Sequence, residues 1–253
     1  MTVAIFLVVI IGVWQGAYEL LVNVWDVCKP YTFPSPLGVW NTFLNLCKNG
    51  SLPEATGNSL IRGVIGFIIA VFIGVLLGLL IHRIAFLQKS LKPIILGLQT
   101  LPSVCWVPFS ILWFGLTEKA ILFVVIMGSA FSVAIAVDNA MKNISPIYGK
   151  AARTMGVSKV QFYSHVVLPA ALPELVSGLK QGWSFAWRAL MAGEVMTTSI
   201  GLGQTLIIGR DLADINQVML VMLVIVLVGI IIDKGIFSGI ECGMLKKRGL
   251  ITE

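Results

Sequence analysis

Between positions 64 and 81 the chain reads VIGFIIAVFIGVLLGLLI, eighteen consecutive residues without a charge. That run approaches the ~20 mostly apolar residues a helix needs to cross a bilayer. Lipid offers no partner for peptide N–H and C=O groups, so a spanning segment must satisfy them internally as helix. Six stretches qualify as spans: 4–22, 61–81, 93–115, 120–137, 172–196 and 215–240. The chain as a whole agrees, with 57% hydrophobic and 12% charged residues, against about 25% charged in a soluble domain. This deficit of polar surface excludes a water-exposed globule of 253 residues. The expected fold is an all-α polytopic membrane protein, one transmembrane domain over 1–253 with about six helices.

The net charge of +6 is not gathered into a nucleic-acid footprint; several bases lie beside apolar runs, which suits orientation in a membrane. With the N-terminus in the cytoplasm, the inner loops collect Arg83, Lys89, Lys92, Lys142, Lys150, Arg153, Lys159, Lys246, Lys247 and Arg248. The outer segments then hold Lys29, Lys48, Arg62, Lys119 and Arg210. Ten against five predicts that both termini are cytoplasmic. The first span lacks a preceding basic residue and a cleavage site, so it reads as a retained helix. In the long outer segment 23–58, Pro34 and Pro36 predict an extended turn, and Trp40, Phe43, Leu44 and Leu46 a short interfacial helix. Cys28 and Cys47 either pair there or stand as separate thiols. Gly74 and Gly78 form a GxxxG pair, a sign of close helix packing without a specified partner.

Residues 145–169 form a charged insert between the fourth and fifth spans, whose main part, 150–169, reads KAARTMGVSKVQFYSHVVLP. Ser145 and Pro146 fit a helix start, as cap and first-turn proline. Gly156 can end that helix, and Ser158 can cap a second one running to Val167. Pro169 and Pro173 then set the approach to the fifth span. Two short helices hinged at Gly156 make a compact knob outside the lipid.

This insert resembles the signature of inner-membrane permeases of binding-protein-dependent ABC importers: EAA, three residues, G, nine residues, I, one residue, LP. Here Lys150-Ala151-Ala152, Gly156, Val166 and Leu168-Pro169 stand at that spacing, with Lys150 in place of the acidic residue. Phe33-Pro34-Ser35-Pro36, Leu101-Pro102, Ile111-Leu112-Trp113-Phe114-Gly115-Leu116 and Ala151-Ala152-Arg153-Thr154-Met155-Gly156 look like the nitrate, sulfonate and taurine branch. So do Val167-Leu168-Pro169-Ala170-Ala171-Leu172-Pro173, Ala192-Gly193-Glu194 and Ser199-Ile200-Gly201-Leu202-Gly203. The likeness covers nearly the whole chain, with its core at about 55–240. It implies a type I importer permease fold whose loop at 145–169 is the coupling helix region fitting a groove on an ATPase. It also implies a second permease copy, a cytoplasmic ATPase pair binding ATP and magnesium, and an external or periplasmic solute-binding protein at the cell (inner) membrane. In that comparison Ala151 and Ala152 allow close docking and Gly156 makes the turn.

Ionisable groups at membrane depth are costly and normally face a bundle interior, a partner or water. Arg188 and Glu194 lie six residues apart in the fifth span, about 9 Å along a helix, which is not an i,i+4 pairing. Arg188 suits an anionic solute as counter-charge; an interhelical ion pair or a snorkelling side chain is the plainer reading for each. Trp183 and Trp187 share a face and serve either packing or the pathway. Gln99, Thr100 and Ser103 flank Pro102, where a bent helix can expose polar groups to a cavity. The chain carries no GxxxxGK[ST] phosphate loop and no GxSxG elbow, and His82 and His165 form no metal set. No cofactor of its own is expected, and any ATP hydrolysis falls to a partner. Of the function classes, a permease subunit for a small sulfonate-, taurine- or nitrate-like anion leads. A relative carrying another organic solute, a membrane enzyme, and a passive channel-like subunit are the alternatives.

Overall fold

The computed structural model describes residues 2–25, 29 and 31–247, and every regular element among them is helical. In chain order these are α1 (Thr2–Tyr18, continued by a π-helical turn Glu19–Val24), α2 (Pro36–Lys48), α3 (Ser51–Arg83), α4 (Ala85–Gln99) and α5 (Trp106–Phe114). There follow α6 (Glu118–Lys142), α7 (Pro146–Thr154), α8 (Lys159–Phe162), α9 (Leu168–Val195), α10 (Leu202–Asp211), α11 (Ile215–Ile232) and α12 (Ser238–Lys247). Among the described residues three helices, Ser51–Arg83, Glu118–Lys142 and Ile215–Glu241, are long and apolar enough to cross a membrane. A fourth crossing is available from α4 and α5 together. The fifth expected span lies within α9, whose 28 residues rise about 42 Å but include Glu174, Lys180, Arg188 and Glu194.

Two expectations change. The third span is not one helix over 93–115: α4 begins at Ala85, and α4 and Ser103–Phe114 meet at 97°. Pro102 is the cause. It adopts φ −56° and ψ 138°, and its ring drives the preceding residue out of the helical region. In the outer segment, Pro36 opens α2 instead of forbidding it, because a first-turn proline loses no hydrogen bond. Ser35 is the cap, its Oγ accepting from the Gly38 N–H at 3.0 Å. Cys47 is a free thiol, while Cys28 and Arg248 lie outside the described residues.

The chain forms two compact units. One combines Met1–Leu60 and Glu194–Val228. There the Trp14 indole donates to the Pro34 carbonyl at 2.9 Å, and the Ser35 N–H donates to Asn216 Oδ1 at 3.1 Å. Asp214 caps α11 by accepting from the Asn216 and Gln217 N–H groups at 3.0 and 3.1 Å. Gln217 Nε2 in turn donates to the Thr205 carbonyl at 2.9 Å, which ties α11 to α10.

The other unit combines Ile61–Gly193 and Gly229–Glu253. Its centre is α6, which buries Val124, Val125, Ala130, Val133, Ala134 and Val137. Lipid supplies no hydrophobic drive between helices, so contact depends on small residues that let backbones close up. The GxxxG pair does this within the chain: a Cβ on Gly74 would meet the Ala130 carbonyl at 2.8 Å, and one on Gly78 the Ala134 carbonyl at 2.6 Å. Several charges in this unit are paired. Arg62 meets Glu118 at 2.8 Å, Lys180 meets Asp233 at 3.2 Å, and buried Asp138 takes Lys92 and Lys142 at 2.6 and 2.8 Å.

Candidate functional site

The break between α4 and α5 opens a cavity of about 280 Å³ lined by Gln99, Thr100, Leu101, Pro102, Ser103, Gly128, Phe185 and Arg188. Four residues singled out in the sequence, Gln99, Thr100, Ser103 and Arg188, therefore meet in one place. The backbone leaves regular helix there: Thr100 N–H and Leu101 N–H turn back to Gly97 and Leu98 at 3.1 and 3.2 Å, and Thr100 Oγ1 donates to the Gly97 carbonyl at 2.7 Å. Irregular backbone at membrane depth is tolerated where it lines a cavity.

Arg188 reaches this cavity from α9. Its Nε donates to the Ser184 carbonyl at 3.1 Å, and its guanidinium lies over the Phe185 ring, 4.7 Å from the centroid. Among the described residues no carboxylate stands within 4.0 Å of it, in contrast to Arg62, Lys92, Lys142 and Lys180. The ring and the carbonyl hold the planar cation, and among the described residues its other nitrogens have no hydrogen-bond acceptor. A guanidinium so placed is suited to a small oxyanion through paired N–H···O bonds. Phe185 was not among the sequence candidates, although its place three residues before Arg188 puts the two on one helical face.

Trp183, Trp187 and Glu194 do not line the cavity. The two indoles stack at 6.0 Å and Trp183 meets Phe67 edge-on at 5.3 Å, with both tryptophans buried. Packing is the reading the structure supports for them. Glu194 is fully buried and accepts from the Ser59 hydroxyl at 2.8 Å and the Gly203 N–H at 3.0 Å. Nothing local in the sequence links Ser59 to Glu194, 135 residues away.

The insert folds largely as its residues predict. α7 starts at Pro146, and the Val157 N–H returns to the Ala152 carbonyl at 3.1 Å across Gly156, whose φ is +67°. This is the six-to-one bond of a glycine helix stop. Ser158 and Gln161 then cap α8 reciprocally: the Gln161 N–H donates to Ser158 Oγ at 3.4 Å and the Ser158 N–H to Gln161 Oε1 at 3.3 Å. The second helix does not stop before Pro169. It passes through a π-helical turn, Tyr163–Val167, into α9. There the Leu168 N–H bonds to the Tyr163 carbonyl, and this five-residue step absorbs the donor missing at Pro169.

Ala151, Ala152 and Val166 line one groove of about 400 Å³ with Tyr148, Met155, Val157, Gln161 and His165. Ala152 is buried, so it serves the knob's own closure, while Lys150, Ala151, Gly156, Leu168 and Pro169 are exposed. Met155 and Val160 are 79% and 78% exposed, an apolar surface on a segment otherwise suited to water. Among the described residues no group of three potential metal ligands occurs.

A family model described as binding-protein-dependent transport system inner membrane component matches residues 65–238. An Escherichia coli protein described as an aliphatic sulfonates transport permease is 30% identical over 224 residues, covering 88% of this chain and 83% of its own. The nitrate import permease protein of Synechocystis sp. is 26% identical over 230 residues, covering 86% and 84%. An inward-facing structure of the MetNI methionine ABC transporter superposes with a TM-score of 0.62 at 21% identity, over 76% of this chain and 94% of that one.

Proposed function

This chain belongs to the binding-protein-dependent transport system inner membrane components, and from that premise we propose that it moves a small oxyanion across the membrane, with Arg188 as the counter-charge. It is a multi-pass ABC importer permease with the type I fold. The observation that carries the substrate reading is the meeting of Arg188 with Gln99, Thr100 and Ser103 in a cavity of about 280 Å³. That space suits a solute of a few heavy atoms, and the names of the sulfonate and nitrate relatives agree in charge and size.

The family places this chain among transport permeases, and ATP and magnesium fall to a cytoplasmic ATPase pair. That pair pushes on residues 145–169, where Met155 and Val160 offer apolar contact and Gly156 sets the angle between α7 and α8. A second permease copy completes the pathway, an external solute-binding protein delivers the anion, and both termini face the cytoplasm. Residues 1–253 act as one permease domain.

The deciding experiment purifies the assembled complex and identifies the small molecule held by its solute-binding protein. A sulfonate-, nitrate- or carboxylate-type anion agrees with the proposal. A neutral or cationic compound would remove the role given to Arg188.

A further inference from the structure

Glu194 occupies an unfavourable place in its own helix. It sits in the last turn of α9, where outward-pointing carbonyls make a carboxylate unwelcome, and it is fully buried. Its oxygens meet the start of α10 instead. The Gly203 N–H donates to Glu194 Oε2 at 3.0 Å, and the Ser59 hydroxyl approaches both carboxylate oxygens at 2.8 Å. Ser59 Oγ in turn accepts the Leu202 N–H at 2.9 Å. The first two amides of α10 are thus satisfied by side chains from outside the helix, Ser59 143 residues away and Glu194 nine, while Gly201, the residue in the cap position, contributes no side-chain bond.

The glycines are part of the same device. A Cβ on Gly201 would stand 2.5 Å from Glu194 Oε1, and one on Gly203 would stand 2.5 Å from Glu194 Cβ and 2.9 Å from the Val195 nitrogen. Both must be glycine for the turn to close over the carboxylate. Neither position needs the left-handed region, since only Gly50, Gly115 and Gly156 have positive φ among the described glycines. Space, and not backbone freedom, sets the requirement.

We infer that Glu194 is a positioning residue: with Ser59 it supplies the missing N-cap of α10 and clamps residues 201–203 onto the end of α9, so that these parts move as one body. Its carboxylate is engaged with protein donors and is not a solute contact. The effect of this clamp on transport rests on the permease reading above.

The test uses the assembled complex in lipid nanodiscs, with hydrogen exchange over residues 201–206 and transport kinetics against solute-loaded binding protein. Glu194→Ala should accelerate exchange at the start of α10 by about tenfold or more, as expected for losing a hydrogen bond to a charged group. Turnover should fall while the KM stays within about twofold, because solute contacts are untouched. Glu194→Gln keeps an acceptor for Gly203 and should retain most of the protection. Unchanged exchange in Glu194→Ala, or a raised KM with normal turnover, overturns the inference. Should Glu194→Ala fail to assemble, Ser59→Ala decides: faster exchange at the start of α10 supports the clamp, and no change refutes it. A failure of the transport reading would show separately, as wild-type complex that moves no anion while exchange still responds to Glu194→Ala.

Discussion

Gly78 of α3 lies against the Ala134 carbonyl of α6 so closely that a Cβ at Gly78 would stand 2.6 Å from that oxygen and 2.7 Å from Val137 Cβ. The obstacle is backbone, which cannot swing aside as a flexible side chain would. Gly78→Ala should therefore cost about 1–3 kcal/mol, the usual range for overpacking. Gly97→Ala, with nothing within 4 Å of the new methyl, should cost nothing of that kind. Thermal unfolding of the two variants in detergent checks the contrast.

Arg188 tests the pathway. Arg188→Gln keeps hydrogen-bonding capacity but removes the charge, and Arg188→Lys keeps the charge but loses the planar fork. Transport of an anionic solute should fall by at least about tenfold in the first, following the ~1.5–3 kcal/mol worth of a charge-assisted bond. The lysine variant should lie between the glutamine variant and the native protein. ATP hydrolysis without solute should change in neither. Equal, native-like uptake in both variants would show that the anion does not meet this side chain.

Gly156 separates backbone conformation from crowding. Its φ of +67° is left-handed, yet a Cβ added there would find no atom within 4 Å. Gly156→Leu should thus strain the turn by roughly 1–2 kcal/mol without a clash. Transport and solute-stimulated ATP hydrolysis should fall together while membrane insertion survives. Gly156→Asn, a residue more tolerant of this region, should recover part of both. Normal coupling in Gly156→Leu would count against residues 145–169 as the site of force transfer.

Asp138 is fully buried and holds Lys92 of α4 and Lys142 of its own helix at 2.6 and 2.8 Å through one oxygen, Oδ2. Removing one partner of a buried ion pair commonly costs about 3–5 kcal/mol, since the others lose their counter-charge. Asp138→Ala should lower the unfolding temperature in detergent clearly. Lys142→Ala leaves Lys92 in place and should be milder. Comparable stability for Asp138→Ala and the native protein would show that the pairing contributes little.

Much of the architecture was legible in residue order because lipid allows few solutions: a long apolar run becomes a helix. The glycine at 156, the proline at 146 and the serine at 158 act through bonds to near neighbours, so the insert could be read locally. Pro102 announced a bend, but not one of 97°, since its size depends on what α4 and α5 pack against. The π-helical passage at Tyr163–Val167 was missed because a proline can be met either by ending a helix or by shifting its hydrogen-bond register, and sequence alone does not choose.

Side-chain partners followed a different rule. Residue order established that Arg188 and Glu194 are six apart and need separate solutions, since helical rise is the same wherever the helix lies. Only the tertiary structure decided what those solutions are: a polar cavity beside Phe185 for the first, and the start of α10 with Ser59 for the second. Burial and hydrogen bonding depend on segments far apart in sequence being brought within about 3 Å. No local periodicity encodes which of them meet.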